Sequence, residues 1–499
     1  MNFPNYNARD FGSDFGGAGH GSVAELTKAI QAGAITGMQT ANQLLTHEPL
    51  KIESVEWTVR SLEFRMEDVK LWNEIPKMVA SNTVEEYVML ESYGADGGGF
   101  YREGEMAKFV DSKYYRSYAN VKYLQVAGNV TLQAQYVKSY VDALLKETEN
   151  KTMWLIRNAS RYLTYGDDRI VPEEWRGLFA QHGNYGTDVV YSSFDQYMKS
   201  DVLVDMRGKI VTQQTIENAA NVIKYKYGRA DSFYAPPKVN LALSQSYQDM
   251  LRAQTGDKAV PGIYGNQVKE LVTNNGTVHI KEDIFMSKPD PKYVGQPAPS
   301  VDVPNPPSAF AAALTTADAE SKFAAGETWT GELGTVFYAI SAVNRFGESP
   351  LVASHATNKI TLAAGLSVDL VFARAASGPE TTGFIIYRSL VTSATNSANV
   401  PFYPLFRISE AQHTAGYDGG AANTVRDRNR FLPNTQEAFL TEAKEEIFSF
   451  KQLAPISKLN MGVVAPSSQF LMFMWGTPML YAPKKMVRFI NIGDRPIAS

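Results

Sequence analysis

The feature that most constrains the fold is a proline-rich segment between residues 287 and 307. It reads SKPDPKYVGQPAPSVDVPNPP and holds seven prolines. Proline cannot continue a helix and has no backbone N–H to donate, so such a segment favours extended chain. After it, as far as about Arg430, the chain is rich in Ala, Thr, Gly and Ser. We therefore expect the chain to pass from one domain into another at this segment.

The region after the prolines carries short strand-like runs separated by turn residues. Short strands at such spacing predict a small β-sandwich. The runs are Thr335–Val343, Lys359–Leu362, Ser367–Phe372, Phe384–Tyr387 and Pro404–Ile408. Its candidate aromatic core is Phe337, Tyr338, Phe384, Tyr387 and Phe406. Because the character of the chain reverts after Phe431-Leu432-Pro433, we interpret residues 297–432, the insert, as an all-β module that interrupts a larger domain.

Two segments outside the insert have the periodicity of helices. The stronger signal covers Thr131–Thr164, where apolar residues recur every three or four positions without an interrupting Pro or Gly, and Gly166 stops it. A continuous helix of that length would span about 50 Å. A second helix is predicted over roughly Thr212–Tyr227, with Gly228 in the left-handed position just past its end.

The first 130 residues show no compact core of their own. Residues 1–22 are rich in Gly, Asn and Asp and resemble an arm, and a short helix is predicted over Val23–Leu45. The pattern beyond Leu50 is typical of a long two-stranded excursion, which is only marginally stable in isolation. We therefore expect it to lie on something else. Its predicted parts are strand fragments at Glu56–Val59, Leu71-Trp72 and Val84–Leu90, and a flexible tip at Gly94–Gly99.

Composition excludes several classes of protein. Apolar residues make up 44% of the chain, which excludes long disorder, and no apolar run is long enough to predict a transmembrane helix. The N-terminal residues do not resemble a signal peptide. The absence of cysteine excludes disulfide frameworks and thiolate sites and fits folding in the cytosol. A net charge of −4 argues against a surface built to neutralise many phosphates.

No motif predicts catalysis, a metal or a cofactor. The six histidines lack metal-site spacing, and no G-x-S-x-G or GK[ST] motif is present. The acidic cluster Asp167-Asp168 with Glu173-Glu174 could hold a cation, but a solvated loop is the favoured interpretation. For Lys484-Lys485 with Arg488, a salt bridge between subunits explains the basic patch at least as well as nucleic-acid contact. We therefore predict no enzyme.

Taken in order, these elements resemble the major capsid protein of tailed double-stranded DNA bacteriophages, which has the Hong Kong 97-like α+β fold. The residues that carry the resemblance are Val69–Lys77, Thr83–Tyr87, Gly98–Gly104, Tyr165-Gly166-Asp167 and Val204–Gly208. Within the insert, Phe337–Ser349 and Gly383–Ser389 are similar to strands of immunoglobulin or fibronectin type III-like domains. Their order is reversed from the usual one, which indicates a rearranged topology.

The resemblance implies an architecture and a function. The implied function is a structural subunit that self-assembles into the icosahedral head around packaged DNA, folds in the host cytoplasm and ends in the virion. The implied partners are copies of itself in hexamers and pentamers, portal, scaffolding and decoration proteins, and DNA bound without sequence specificity, with no membrane and no cofactor. The implied divisions are 1–49 N-terminal arm, 50–130 extended loop and return, 131–203 peripheral domain with spine helix, 204–296 axial domain, 297–432 insert and 433–499 return to the axial and peripheral domains.

Six residues are predicted to make contacts between subunits. Arg102, Glu103 and Glu105 lie near the tip of the predicted extended loop, where a solvated tip is an equally good interpretation. The other three are Trp72, Lys484 and Arg488. We expect the insert to stand on the outer face of the shell and to contact neighbouring inserts rather than host glycans, because nothing in the sequence marks a sugar site.

Two other functions stay open at this point. One is a phage or bacterial surface adhesin in which the fibronectin-like module binds a target, although no secretion signal is recognised. The other is a polysaccharide-active enzyme, which would need paired carboxylates in a cleft.

Overall fold

The chain is a mixed α+β protein, as predicted, in a computed structural model. The predicted arm, the helix expected over Val23–Leu45 and the strand fragment at Glu56–Val59 lie outside the residues that the structure describes. Those residues are 65–94, 99–136, 142–183, 202–246, 268–323, 333–353, 359–462 and 466–493.

The helices are short apart from one. They are α1 (Lys70–Glu74), α2 (Leu132–Tyr136), α3 (Ala143–Tyr165), α4 (Leu178–His182), α5 (Gln213–Tyr225), α6 (Pro237–Ser246) and α7 (Glu410–Ala415).

The strands fall into three groups along the chain. Before the insert they are β1 (Lys77–Val79), β2 (Val84–Ser92), β3 (Lys113–Asn120), β4 (Lys122–Thr131), β5 (Leu203–Asp205), β6 (Ser232–Ala235), β7 (Glu270–Thr273) and β8 (Gly276–Glu282). Within it they are β9 (Ser308–Ala317), β10 (Gly334–Val336), β11 (Tyr338–Asn344), β12 (Gly347–Glu348), β13 (Val352–Ala353), β14 (Ile360–Leu362), β15 (Leu366–Ala373), β16 (Gly383–Ser389), β17 (Phe402–Ser409) and β18 (Thr424–Asp427). After it they are β19 (Gln436–Thr441), β20 (Phe448–Asn460), β21 (Ser467–Leu480) and β22 (Val487–Ile492).

Two sheets form the body, by which we mean the described residues outside the insert and outside the pair of strands β2 and β3 with its connecting tip. The first is four-stranded in the order β1-β20-β21-β4, and its buried face packs against α3. The second is six-stranded in the order β5-β22-β19-β6-β8-β7, and α5 and α6 pack on it. The segment after the insert therefore supplies central strands to both sheets.

The long helix is shorter than the sequence predicts. Asp142 has a non-helical ψ of 113°, and its carboxylate accepts hydrogen bonds from the N–H groups of Leu144 (2.9 Å) and Leu145 (3.3 Å). An N-cap of this kind starts a new helix. The observed α3 has 23 residues, which corresponds to about 35 Å, and the prediction of one helix over Thr131–Thr164 is wrong. Part of that range, residues 137–141, is outside the described chain.

A second correction concerns Leu71-Trp72, which were predicted to be extended. They lie in α1, where Leu71 and Trp72 are buried in the core beneath α3. The N–H of Leu71 donates to the carboxylate of Asp283 at 2.8 Å, and this capping group comes from 212 positions along the chain. A local pattern cannot reveal such a partner, so the helix was missed.

The strands within the insert form two larger sheets around a shared core, with a further two-stranded pair, β10-β14. One sheet has five strands, β12-β11-β16-β17 with β13 paired to β11, and the other has the order β18-β15-β9. Tyr338, Ile340 and Phe384 from the first meet Leu370 and Val425 from the second in one buried cluster. The predicted strands at Lys359–Leu362, Ser367–Phe372, Phe384–Tyr387 and Pro404–Ile408 are confirmed to within a few residues, and the run Thr335–Val343 is split at Phe337 into β10 and β11.

The proline-rich segment is extended but is not a free spacer. Lys292 exchanges two backbone hydrogen bonds of 2.9 Å with Phe402, and Val294 packs with Phe337 and Tyr387 on the other face of the five-stranded sheet. Because that face is covered, every residue of β11 is buried. Phe337 and Tyr387 therefore belong to a second small core and not to the one that contains Tyr338.

The insert is fastened to the body through side chains as well as through the chain itself. Arg407 of β17 makes two hydrogen bonds to Glu174, at 3.0 and 3.1 Å. Ile170 and Val171 pack against Val343 beside this pair. Burial lowers the pKa of Arg407, but the charge of Glu174 outweighs it and holds the pKa above its ordinary value.

The acidic cluster is therefore not a fully solvated loop, which corrects that expectation. Asp167 pairs with Arg169 and Asp168 pairs with Arg176, both at 2.8 Å, while Glu174 binds Arg407. Of the four carboxylates only Glu173 is exposed.

A second set of contacts joins the insert to the six-stranded sheet. The guanidinium of Arg207 donates to the carbonyl oxygens of Asn429 and Lys322, both at 2.8 Å. Asn491 of β22 accepts from the N–H of Leu432 (2.9 Å) and donates to the carbonyl of Arg430 (2.8 Å). The insert thus contacts the α3 end of the body and its six-stranded sheet.

Candidate functional site: an exposed hairpin

A hairpin formed by β2 and β3 has no buried residue among those whose burial the structure describes. The strands are antiparallel, and Val84 pairs with Asn120 at one end and Ser92 with Lys113 at the other, beyond a register shift after Leu90. The predicted strand at Val84–Leu90 is confirmed.

The two faces of the hairpin differ sharply. Directly opposite residues share a face, so Val88, Tyr114 and Tyr118 lie on the same side. Their side chains are 63%, 70% and 65% exposed. The exposed pair Glu86–Arg116 lies on this face too. Apolar and aromatic groups of this size on one strand pair form a contiguous surface of the kind that marks interaction sites.

The other face lies on the body. Tyr87 packs edge-on against Tyr481 with ring centroids 5.1 Å apart, and Met89 packs against the core of the six-stranded sheet. We expected the two-stranded excursion beyond Leu50 to pack on another part of the protein, and only this face of the hairpin does so.

The tip of the hairpin, residues 99–112, has no regular structure and is exposed throughout. Phe100 and Phe109 are 99% and 100% exposed and Met106 is 90% exposed. Large apolar side chains of this kind cost free energy in water unless another surface covers them.

The structure brings Arg102, Glu103 and Glu105 together in one β-turn of the tip. The N–H of Glu105 donates to the carbonyl of Arg102 at 3.0 Å, and the Glu105 carboxylate accepts from the Arg102 N–H at 3.0 Å. Gly104 has a φ of +81°, which the third position of a type II turn requires. The Glu105 carboxylate thus supports the turn, while Glu103 is exposed.

Trp72, another predicted contact residue, lies inside the subunit. Its ring stacks with Trp175 at 6.5 Å and meets Phe450 edge-on at 5.0 Å. Only 3% of Trp72 is exposed. The structure therefore gives it a role in the core under α3.

The predicted basic patch consists of Lys484, Lys485 and Arg488, and its members lie in different environments. Arg488 is buried, binds Glu437 through Nε at 3.0 Å and donates to the carbonyls of Phe179 and Gly183. Burial would raise the pKa of Glu437, but Arg488 and then Lys288 outweigh it and hold that pKa below its ordinary value.

His182 lies beside this buried pair. Burial, reinforced by the charge of Arg488, lowers the pKa of His182 to about 4, so the ring is neutral. Lys484, in contrast, is half-buried near the surface. Arg488 therefore has an internal role, whereas Lys484 and Lys485 are both half-buried and reach solvent.

Other kinds of site find no support in the described part of the chain. No group of three or more His, Cys, Asp or Glu side chains there could hold a metal ion. No helix in that part is both long and apolar enough to cross a membrane.

Comparison with known proteins gives relatives that match along most of the chain. A major capsid protein of Staphylococcus phage K is 21% identical over 456 residues, covering 89% of this chain and 90% of that protein. A major capsid protein of Staphylococcus phage S25-3 is 20% identical over 468 residues with the same coverage. No family model matches. The capsid structure of the Cyanophage P-SCSP1u has a TM-score of 0.44 and 9% identity, covering 92% of this chain and 97% of that one.

Along most of its length the chain is therefore similar to structural subunits of bacteriophage virions. Within that class it is similar to the major capsid proteins, which confirms the resemblance predicted from the sequence. The adhesin alternative is not favoured.

Proposed function

We propose that this subunit assembles with copies of itself into a closed shell, and that the hairpin is a principal contact between subunits. The observation that carries the proposal is the fully exposed apolar tip, with Phe100 and Phe109, on a subunit whose remaining strands largely bury their apolar side chains. An exposed apolar surface of this kind promotes aggregation of a monomer. In a subunit that meets many copies of itself, the same surface provides a contact.

The proposed contact has two parts. The apolar face at Val88, Tyr114 and Tyr118 and the apolar tip would be covered by a neighbouring subunit. Arg102 and Glu103 would add charged contacts at the rim, where an exposed pair contributes only about 0–1 kcal/mol. Lys484, which reaches the surface, is kept as a predicted contact residue, whereas Trp72 and Arg488 are not needed for it.

We propose the Hong Kong 97-like architecture for the body. The hairpin corresponds to the extended loop, α3 to the spine helix, the four-stranded sheet to the peripheral domain and the six-stranded sheet to the axial domain. The support is the order of these elements and the way the segment after the insert returns to both sheets.

We propose that the insert is an immunoglobulin-like sandwich on the outer face of the shell. Its two sheets around one core support the sandwich. The outer location follows from volume, because a module inside would occupy space that packaged DNA needs. Its role would be contact with neighbouring inserts.

The remaining partners of the proposal follow from the role of a shell. They are portal, scaffolding and decoration proteins, and DNA held on the inner face without sequence specificity. We propose no catalytic function, since the role of the relatives is structural.

The experiment is electron microscopy of the purified protein beside a variant with Val88→Ser, Tyr114→Ser and Tyr118→Ser. We expect closed shells from the unaltered chain, and folded but unassembled subunits from the variant, because the three changed side chains lie on the solvent face and support no core.

A control variant removes exposed apolar surface elsewhere. Val272→Ser and Ile284→Ser, at residues 74% and 44% exposed outside both the hairpin and the insert, should leave shells unchanged. Normal shells from the triple variant would remove the hairpin from the contact, and monomers from the unaltered chain would overturn assembly itself.

A further inference from the structure

The chain leaves α5 through a left-handed tyrosine. The N–H of Gly228 donates to the carbonyl of Ile223, and the N–H of Tyr227 donates to that of Lys224, both at 3.0 Å. This pair of bonds is the Schellman arrangement, in which the first residue past the helix cap adopts a left-handed conformation. That residue is Tyr227, with a φ of +62°, and not Gly228 as the sequence predicts.

Gly228 is needed because a second segment of the chain packs on this turn. A Cβ at this position would lie 2.7 Å from Cγ2 of Ile223 and 3.2 Å from Cγ of Lys485. Lys485 belongs to the connection between β21 and β22. The missing side chain of Gly228 therefore lets Lys485 approach the end of α5 and adds a cation there.

The side chains around this turn are basic or aromatic. Residues 222–230 read VIKYKYGRA, with three cations and no carboxylate. Tyr225 and Tyr227 are 84% and 93% exposed, and Lys224 and Arg229 are exposed as well. We call the following set the basic turn: Lys224, Tyr225, Tyr227, Arg229 and Lys485.

The carboxylates near the basic turn have other partners. Glu442 is 6% exposed, and its carboxylate accepts from the N–H of Arg229 at 3.3 Å and pairs with Lys444. The hydrogen bond and the charge of Glu442 raise the pKa of Lys444, and the charge of the exposed Glu446 adds to this effect. Asp231 is half-buried and accepts from the N–H of Ala443 at 3.0 Å.

The cations of the basic turn therefore stay available to a ligand. Within the described chain, no carboxylate forms an ion pair with Lys224, Arg229 or Lys485. The partial negative charge at the carbonyl end of a helix favours a cation, which accounts for Lys224 in the last turn of α5. It does not account for Arg229 and Lys485, which lie beyond that helix.

We propose that the basic turn binds the phosphate backbone of duplex DNA without sequence specificity. Charge complementarity carries this inference, since ammonium and guanidinium groups bind phosphates and release counterions. Tyrosine hydroxyls also donate hydrogen bonds to phosphate oxygens, which suits Tyr225 and Tyr227. An interface with a protein would combine the cations with exposed carboxylates of the same surface.

The contact is local and weak. The net charge of −4 argues against a surface with many phosphate contacts, but Lys224, Arg229 and Lys485 supply only about three. Binding should therefore be lost readily as salt is added. The inference gives a site to the DNA partner of the proposed function, and it rests on that function for the choice of duplex DNA.

The test measures how tightly the full chain binds a mixed-sequence duplex of about 30 base pairs at several salt concentrations. The subunit concentration is kept too low for assembly. Lys224→Gln with Arg229→Gln removes two phosphate contacts, so the slope of log K against log salt should become shallower by about 2. At about 0.1 M salt the affinity should fall about 50-fold. Tyr227→Phe removes one hydroxyl and should weaken binding about threefold without changing the slope.

The matched control is Arg345→Gln with Lys359→Gln, which removes the same charge from exposed positions of the insert. It should change neither the slope nor the affinity. Every changed side chain is exposed, so all variants should keep the thermal unfolding midpoint of the unaltered chain.

The outcomes separate the alternatives. An unchanged slope in the first variant, or no binding by the unaltered chain, overturns the inference. Poor shell formation with an unchanged slope would make the basic turn a protein contact and also overturns it. Tighter binding of single strands than of duplex would assign the tyrosines to base stacking and overturns duplex DNA as the ligand. The assay needs no shells, so a failure of the unaltered chain to assemble is a separate result that overturns the proposed function.

Discussion

The hairpin and the insert are both antiparallel β structures that leave the body of the subunit, yet they are stabilised in opposite ways. The insert encloses a core of its own, in which Tyr338 and Phe384 are fully buried. The hairpin has two strands, one face on the body and the other in solvent, with Tyr114 70% exposed. The insert is therefore expected to fold by itself, whereas the hairpin depends on what it touches.

The same contrast applies to their ion pairs. In the insert, Arg388 is completely buried and donates to Asp427 at 2.9 Å and to Asn429 at 2.7 Å. Burial and then the charge of Asp427 raise the pKa of Tyr338, so its hydroxyl stays protonated and donates to Asp427 at 2.7 Å. In the hairpin, the side chains of Glu86 and Arg116 are 51% and 70% exposed.

The largest difference in stability between the insert and the hairpin should come from removing the carboxylate of the ion pair in each. Asp427→Ala leaves the guanidinium of Arg388 buried without its carboxylate, which should lower the free energy of unfolding of the insert by about 3–5 kcal/mol. Glu86→Ala in the hairpin should cost about 0–1 kcal/mol. Urea unfolding, with limited proteolysis to assign the region that opens, measures both. Equal costs would contradict the contrast.

A second test determines at which residue the independently folding unit begins. A fragment of residues 288–432 keeps the two backbone hydrogen bonds of Lys292 and the packing of Val294, and one of residues 297–432 loses them. We expect both to be monomeric, β-rich and cooperative, with the shorter fragment less stable by about 2–3 kcal/mol. A peptide of residues 84–120 should have no stable structure. Circular dichroism during thermal unfolding compares the three, and identical stability of the two fragments would make the proline-rich segment a mere spacer.

A third test loosens the insert from the body without unfolding it. Glu174→Gln removes the charge that Arg407 binds and should cost about 1–2 kcal/mol at this contact. Hydrogen exchange should become faster in residues 166–177 and 402–409, while the core of the insert stays protected. The adjacent Glu173→Gln is the matched control, because Glu173 is exposed and should change nothing. Unchanged exchange in the Glu174 variant would mean that the chain connections alone hold the insert.

The smallest predicted effect is a loss of stability of the insert at acidic pH. Burial lowers the pKa of His413, which stacks on Phe372 with centroids 4.1 Å apart. Below the ordinary value of about 6.5 the unfolded chain therefore binds a proton that the folded insert does not, so stability falls as the pH drops. The fragment of residues 288–432 should unfold at a lower temperature at pH 5 than at pH 7. His413→Gln should reduce that shift, and an undiminished shift would assign it to other groups.

Local sequence patterns predicted the elements whose signals lie within a few residues of each other. The alternation over Val84–Leu90 is a strand, and α5 begins after Thr212, whose hydroxyl caps it. The strands of the insert follow their turn residues. The one local signal overlooked is Asp142, an N-cap residue inside the range predicted as one helix.

Contacts between residues far apart in the sequence determined the features that local patterns could not predict. The helix at Leu71 is capped by Asp283, the proline-rich segment is packed by Val294, and Arg488 is turned inward by Glu437. None of these partners is a sequence neighbour. The exposed tip containing Arg102, Glu103 and Glu105 was predicted, but the difference between the two faces of the hairpin was not.

By itself, then, the sequence predicted the resemblance to major capsid proteins. It also predicted the exposed hairpin and a strand-rich insert, because periodicity and turn chemistry act between residues close along the chain. Only the tertiary structure decided that strands after the insert complete both sheets of the body, that Trp72 is core, and that Tyr227 carries left-handed strain at an exposed helix end. Those outcomes depend on which distant surfaces pack together, and burial and hydrogen bonding across hundreds of residues leave no periodic trace in the chain.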